Sequence, residues 1–212
     1  MYLEIKTESI QKFLCDIFKK NINDILISDL LLVESLTVDG EDFDGRKLNI
    51  YFQEIKEFKN LKYLEISNTL INNNIINILS KLSYLENVVF RNCTISKQIK
   101  DMNKLTNITN LRIDNCYNFD LSFIKNLSNI KRLSLSGIKK IDFSVFKYQL
   151  YSLDISKCFL NDFENIDIIN VNTLIISKRE YELLINKNLK YNYHIIVMAD
   201  PSDGYYIEKW IN

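Results

Sequence analysis

Six stretches of this chain share one apolar pattern, apolar-x-x-apolar-x-apolar. They are LKYLEISNTLI at 61–71, LENVVFRNCTI at 85–95, ITNLRIDNCYNF at 108–119, IKRLSLSGI at 130–138, LYSLDISKCFL at 150–160 and VNTLIISKR at 171–179. A divergent seventh copy, VESLTVDGE, stands at 33–41. The copies start at 33, 61, 85, 108, 130, 150 and 171, so successive starts differ by 28, 24, 23, 22, 20 and 21 residues. Such a period is the signature of stacked supersecondary units. Each apolar-x-apolar segment reads as a short strand whose alternate side chains face opposite ways. Leu64/Ile66, Val88/Phe90, Leu111/Ile113, Leu133/Leu135, Leu153/Ile155 and Leu174/Ile176 are the expected inward pairs. A single copy has no means of burying its own apolar face, so neighbouring copies must cover one another.

A period of roughly 20–29 residues with this pattern resembles the leucine-rich repeat. That resemblance implies an α/β fold, a right-handed horseshoe solenoid with a parallel sheet on its concave face. The segment INNNIINILSKL at 71–82 spaces Ile75, Ile76, Leu79 and Leu82 as a helix that returns the chain along the convex side. In repeats of this kind the third residue after the last inward strand position is usually Asn or Cys, bonded to the loop backbone. Here that position holds Thr69, Cys93, Cys116, Ile138, Cys158 and Arg179. Three of the four cysteines thus fall on one structural ladder, which Ile138 and Arg179 break.

The open ends of a stack need covers. The chain of 212 residues is read as one domain, 1–212, with an N-terminal cap at 1–32, about seven repeats at 33–190 and a C-terminal cap at 191–212. Ile10, Phe13, Leu14, Ile17 and Phe18 make residues 7–20 an amphipathic helix, with Thr7 as its N-cap. Cys15 sits beside that stripe. Further on, 180–189 reads as a helix and 193–198 as a last strand. A turn at Pro201 follows, and Tyr205, Tyr206, Ile207 and Trp210 then supply closing anchors. The stretch at 22–40, with Asp29, Leu30, Val33, Leu36 and Val38, resembles the opening segment of bacterial internalin-like repeat proteins. The resemblance covers roughly residues 5–180 and speaks to fold rather than to a particular partner.

Composition narrows the function. Twenty-seven Lys and Arg balance 27 Asp and Glu, so no basic footprint for nucleic acid is present. No run of about 18 apolar residues is available to span a membrane. The start, MYLEIKTE, lacks the apolar core of a signal peptide, so the expected location is the cytoplasm. One histidine, His194, and four cysteines without a Cys-x-x-Cys pair argue against a metal site, and no cofactor is expected. Phosphate-binding loops, dinucleotide fingerprints and nucleophile elbows are absent. With four glycines and no catalytic constellation, the chain is not expected to be an enzyme.

Candidate binding residues lie between the inward ones. Tyr63 and Glu65, Asn87 and Val89 with Arg91, Arg112 with Asp114, Arg132, and Asp154 are the expected concave-face set for a protein partner. The chain has arginines only at 46, 91, 112, 132 and 179, and three of these fall on that face in consecutive repeats. Adjacent strands are roughly 5 Å apart, so two readings stand open. The arginines form a recognition cluster, or they form cross-strand salt bridges with Glu65, Asp114 and Asp154. The expected function is a non-catalytic protein-interaction module, as an inhibitor or immunity-type protein. The alternative that the resemblance implies is a surface adhesin or recognition fragment.

Overall fold

The computed structural model describes residues 4–41, 45, 47, 50–97, 99, 102–118, 121–138, 140–160, 163, 165–186 and 192–198. The residues chosen as closing anchors, Tyr205, Tyr206, Ile207 and Trp210, lie outside the described residues, as does Pro201. The chain is mixed α/β, with ten strands among the described residues, eight in one parallel sheet and two in a second. It divides into two compact units, one of residues 1–108 with 116–119, the other of 109–115 with 120–212.

The first unit opens with α1 (Glu8–Phe18) and the single-turn α2 (Ile27–Leu30). Its strands are β1 (Ser35–Asp39), β2 (Tyr63–Ser67), the two-residue β3 (Leu70–Ile71), β4 (Asn87–Arg91) and the two-residue β5 (Thr94–Ile95). Helix α3 (Asn73–Leu79) lies between β3 and β4. Strand β2 pairs in parallel with β1 on one side and β4 on the other, with Leu36 opposite Leu64 and Leu64 opposite Val88. Strands β3 and β5 form a second small parallel ladder.

The second unit holds β6 (Asn110–Asp114), β7 (Arg132–Ser136), β8 (Leu150–Lys157), β9 (Val171–Ser177), α4 (Lys178–Ile185) and β10 (His194–Met198). Each strand pairs in parallel with the next, from β6 through to β10. All twelve residues expected to point inward are buried, each at most 2% exposed. Leu36 and Val38 of the divergent first copy join them. Period-two alternation decides this: each strand of five or more residues has two or three apolar side chains on one face, and that face packs against the neighbouring repeats.

The segments between strands differ from the helical expectation, and in the copies that start at 85, 108, 130 and 150 short length explains it; the 28-residue copy that starts at 33 also returns through a 3-10 turn, so length is not its reason. Helix α3 forms where a repeat is 24 residues long, and Asn72 caps it by accepting from the Asn74 and Ile75 N–H groups at 3.0 and 3.3 Å. Helix α4 lies between β9 and β10, and the other described returns hold a 3-10 turn, at Phe52–Glu57, Met102–Lys104, Leu121–Asn126, Phe143–Val145 and Ile166–Ile168. A 3-10 turn rises about 2.0 Å per residue against about 1.5 Å for an α-helix, so it covers the return path with fewer residues. Thr7 also differs in its role. It occupies the N-cap position of α1, but its hydroxyl makes no cap bond. Fully buried, it accepts instead from Tyr51 N–H at 2.9 Å, while its own N–H donates to Glu54 Oε2 at 3.1 Å. The start of α1 is thereby tied to the loop before β2. Helix α1 packs on β1 through Ile10 and Leu14, and the Ser9 hydroxyl accepts from Asp39 N–H at 3.3 Å.

Four strand exits repeat one turn. Asn68, Asn92, Asn115 and Gly137 directly follow β2, β4, β6 and β7, and all four are left-handed, with φ of 55°, 49°, 50° and 75°. Asn is among the few side-chain-bearing residues that adopt this region at low cost. The turn N–H groups bond across to the next repeat: Asn68 to Arg91 O at 3.1 Å, Asn115 to Ser136 O at 3.3 Å, Gly137 to Lys157 O at 2.9 Å. A β-carbon on Gly137 would lie 2.7 Å from Asn115 Oδ1, so both conformation and space demand glycine there. Strand β8 carries one extra residue: Ser134 pairs with Asp154 but Ser136 with Lys157. Asp154 braces this bulge by accepting from the Ser156 N–H at 3.0 Å and hydroxyl at 2.7 Å.

The cysteine ladder sits one residue beyond the turn. The Cys93, Cys116 and Cys158 thiols donate to Ile66 O, Phe90 O and Leu135 O at 3.4, 3.4 and 3.3 Å. Each acceptor is the last inward strand residue of the preceding repeat. A thiol suits this place because it fills a buried volume like a small hydrophobe yet still offers a weak donor. Burial pushes the Cys158 thiol up to about 12, whereas the Cys116 thiol, by hydrogen bonding, holds Cys93 below the ordinary thiol value.

Two outcomes follow from the turn. Asn92→Val loses about 1–2 kcal/mol in urea denaturation and Asn92→Gly loses little, because only the former forces a β-branched residue into left-handed backbone. In the folded protein at pH 8, iodoacetamide leaves Cys158 unmodified, and mass spectrometry finds it alkylated only after denaturant is added.

Candidate functional site

The candidate residues all lie on strands, on the face opposite the core. In the first unit, register places Tyr63 beside Asn87, Glu65 beside Val89 and Ser67 beside Arg91. Glu65 organises this part of the face. Its Oε2 accepts from the Tyr63 hydroxyl at 2.8 Å, and its Oε1 accepts from Arg91 Nε at 2.8 Å. The ion pair runs on the diagonal, between residues two positions apart on neighbouring strands, where long side chains still meet. The Glu65 side chain is 17% exposed and that of Arg91 41%. Asn87 turns its amide to Lys62 O at 3.3 Å. Val89 is buried at 8% exposure, so it supplies packing beneath the polar groups.

In the second unit, Arg112 reaches along its own strand to Asp114, Nη2 to Oδ2 at 3.0 Å. Asp114 is buried at 5% exposure; it is reached through the arginine that covers it. Arg112 Nε is itself buried and has no hydrogen-bond partner. Arg132 is exposed, donates to Asn110 Oδ1 at 3.4 Å and lies over the Tyr151 ring at 5.0 Å from its centroid, a cation–π arrangement. Asp154 accepts from the Ser134 hydroxyl at 3.4 Å while bracing the bulge. Each of the three arginines therefore has a partner within its own unit. Salt bridging accounts for Arg91 and Arg112, and an aromatic ring with an amide for Arg132.

His194 is exposed on β10, opposite Thr173. Among the described residues no group of three or more His, Cys, Asp or Glu side chains is placed to hold a metal ion, and no helix is long and apolar enough to cross a membrane. Sequence reasoning missed two features. The left-handed Asn ladder was signalled by Asn directly after three of the strand motifs, at 68, 92 and 115. The second is the environment of Glu180. Its signal was the Ser-x-x-Glu run at 177–180, a capping-box pattern. Ser177 does cap α4, accepting from Glu180 N–H at 3.3 Å, but the Glu180 carboxylate turns away to Leu160 N–H at the same distance.

No protein-family model matches the chain, and no curated protein matches it. Among solved structures the chain is similar to an internalin from Listeria monocytogenes, at 16% sequence identity and a TM-score of 0.37, over 81% of this chain and 69% of that one.

Proposed function

We propose that the chain is a single leucine-rich-repeat solenoid, with α1 as its N-terminal cap, that binds a protein partner through the concave face of its strands and catalyses no reaction. The observation that carries this reading is the state of the outward strand face. Its charged side chains are held in defined positions by Tyr63, Glu65, Asp114, Asn110 and Tyr151, so a partner meets groups already ordered. Pre-ordering lowers the entropy cost of association. Arg and Tyr are the side chains that most often dominate such interfaces. An inhibitor or immunity-type role is the form we favour, because it requires a fixed complementary surface and no chemistry of its own.

The test begins with a photo-crosslinking residue at Ser134, which captures a partner for identification and affinity measurement. Reversal of Arg132, which is exposed, and separately of Arg112 is then compared with wild type by calorimetry, with folding checked by circular dichroism. Either reversal is expected to weaken binding about tenfold or more without unfolding the chain. Unchanged affinity in both variants would remove this face as the binding surface.

A further inference from the structure

Two thiols of the cysteine ladder stand on adjacent rungs of the first unit. Thr94 and Tyr117 pair in parallel, and the Tyr117 N–H donates to Cys93 O at 2.8 Å. The residue before each of these partners is a cysteine, Cys93 and Cys116, and both belong to the first compact unit. Parallel neighbours lie roughly 5 Å apart. That falls inside the Cα separation of about 4.4–6.8 Å that a disulfide spans. The backbone thus holds the two side chains next to each other before any bond joins them.

The two sulfurs are aimed alike. Cys93 Sγ donates to Ile66 O at 3.4 Å, and Cys116 Sγ donates to Phe90 O at 3.4 Å. Ile66 and Phe90 are themselves partners in the β2–β4 ladder. The acceptors therefore repeat at the spacing of one rung, and the sulfurs repeat with them. The two thiols are also hydrogen-bonded to each other. Their exposure differs: Cys93 is fully buried, whereas Cys116 is only half-buried. The same ladder position holds Thr69 in the repeat before and Ile138 in the repeat after, so no third thiol stands on a flanking rung. Cys158, between Ile138 and Arg179 on the ladder, has no such neighbour.

We propose that Cys93 and Cys116 form a dithiol modification site, which a small disulfide such as oxidised glutathione converts into a disulfide between repeats. Cys116, the accessible member, reacts first. Its thiolate attacks one sulfur of the small disulfide, forms a mixed disulfide and expels one small thiolate. The Cys93 thiolate then attacks Cys116 Sγ, which closes the Cys93–Cys116 bond and expels the second small thiolate. The chain gives up two electrons and two protons, and the small disulfide takes them up as two thiols. The hydrogen bonds to Ile66 O and Phe90 O go with the thiol protons, and thiols are weak donors. The new bond joins residues 23 apart in sequence and so restricts the unfolded chain.

The full chain is reduced, separated from reductant and incubated with oxidised glutathione at pH 8 without denaturant. Remaining thiols are then alkylated in denaturant, and the digested chain is mapped by mass spectrometry. A peptide pair joined through Cys93 and Cys116 is expected, with Cys158 recovered alkylated, and dithiothreitol restores both thiols. Cys93→Ser is expected to stop at a glutathione adduct on Cys116. Cys116→Ser is expected to leave Cys93 a thiol, because no accessible neighbour relays the exchange. The oxidised chain is expected to melt several degrees above the reduced one. The wild-type map decides the matter should either variant fail to fold. The proposal is overturned if the folded chain yields no Cys93–Cys116 link or yields it only in denaturant. It is overturned equally if oxidation lowers the melting temperature, since the native turns must then distort to take the bond.

Discussion

Everything in this chain depends on a parallel strand of about five residues that cannot complete itself. Its backbone groups are bonded by the strands beside it, and its two inward side chains lie against the inward side chains of those strands. Leu64 and Ile66 in β2 are fully buried because Leu36 and Val38 lie against them on one side and Val88 and Phe90 on the other. The same holds from β6 to β10. Stability is therefore shared between neighbours. A large side chain such as Phe90 does its work for two repeats at once.

That dependence places a strict demand on the strand exits. If each strand is to lie in register with the next, each chain must leave it by the same path. The left-handed residues Asn68, Asn92, Asn115 and Gly137 set that path, and the thiols of Cys93, Cys116 and Cys158 tie it to the repeat before. The bulge in β8 shows how much variation the arrangement accepts. One extra residue is absorbed, Asp154 turns back to brace it, and Cys158 still reaches the carbonyl of Leu135.

With core and turn so constrained, the outward strand positions and the strand ends are where side chains are free to vary. The outward face is built of short local pairs rather than one pool of positive charge: Arg91 with Glu65, Arg112 with Asp114, Arg132 with Tyr151. Pairing reduces long-range attraction for anions and favours recognition by shape and hydrogen bonds at close range.

The inward residues, the strand positions and the cysteine ladder were legible in the sequence because they rest on period-two alternation and on a repeat length, both local in the chain. Helix α1 was legible for the same reason, through its 3.6-residue stripe. What the hydroxyl of Thr7 bonds was not: Tyr51, 44 residues away, supplies the N–H that takes it. The 3-10 returns were not read either, because the path length between strands is set by how repeats stack. Among the outward residues, alternation placed Val89 and Asp114 on the right face but said nothing of their burial, which comes from the side chains lying over them. That Arg91 pairs with Glu65, and that the first oxygen of Glu180 takes the Leu160 N–H, depended on distances of a few ångströms between residues 20 or more apart in sequence. The sequence by itself determined the repeat and its core, since these are periodic; only the tertiary structure decided the turns and returns and which polar side chains satisfy one another, since that is a matter of geometry between chain-distant atoms.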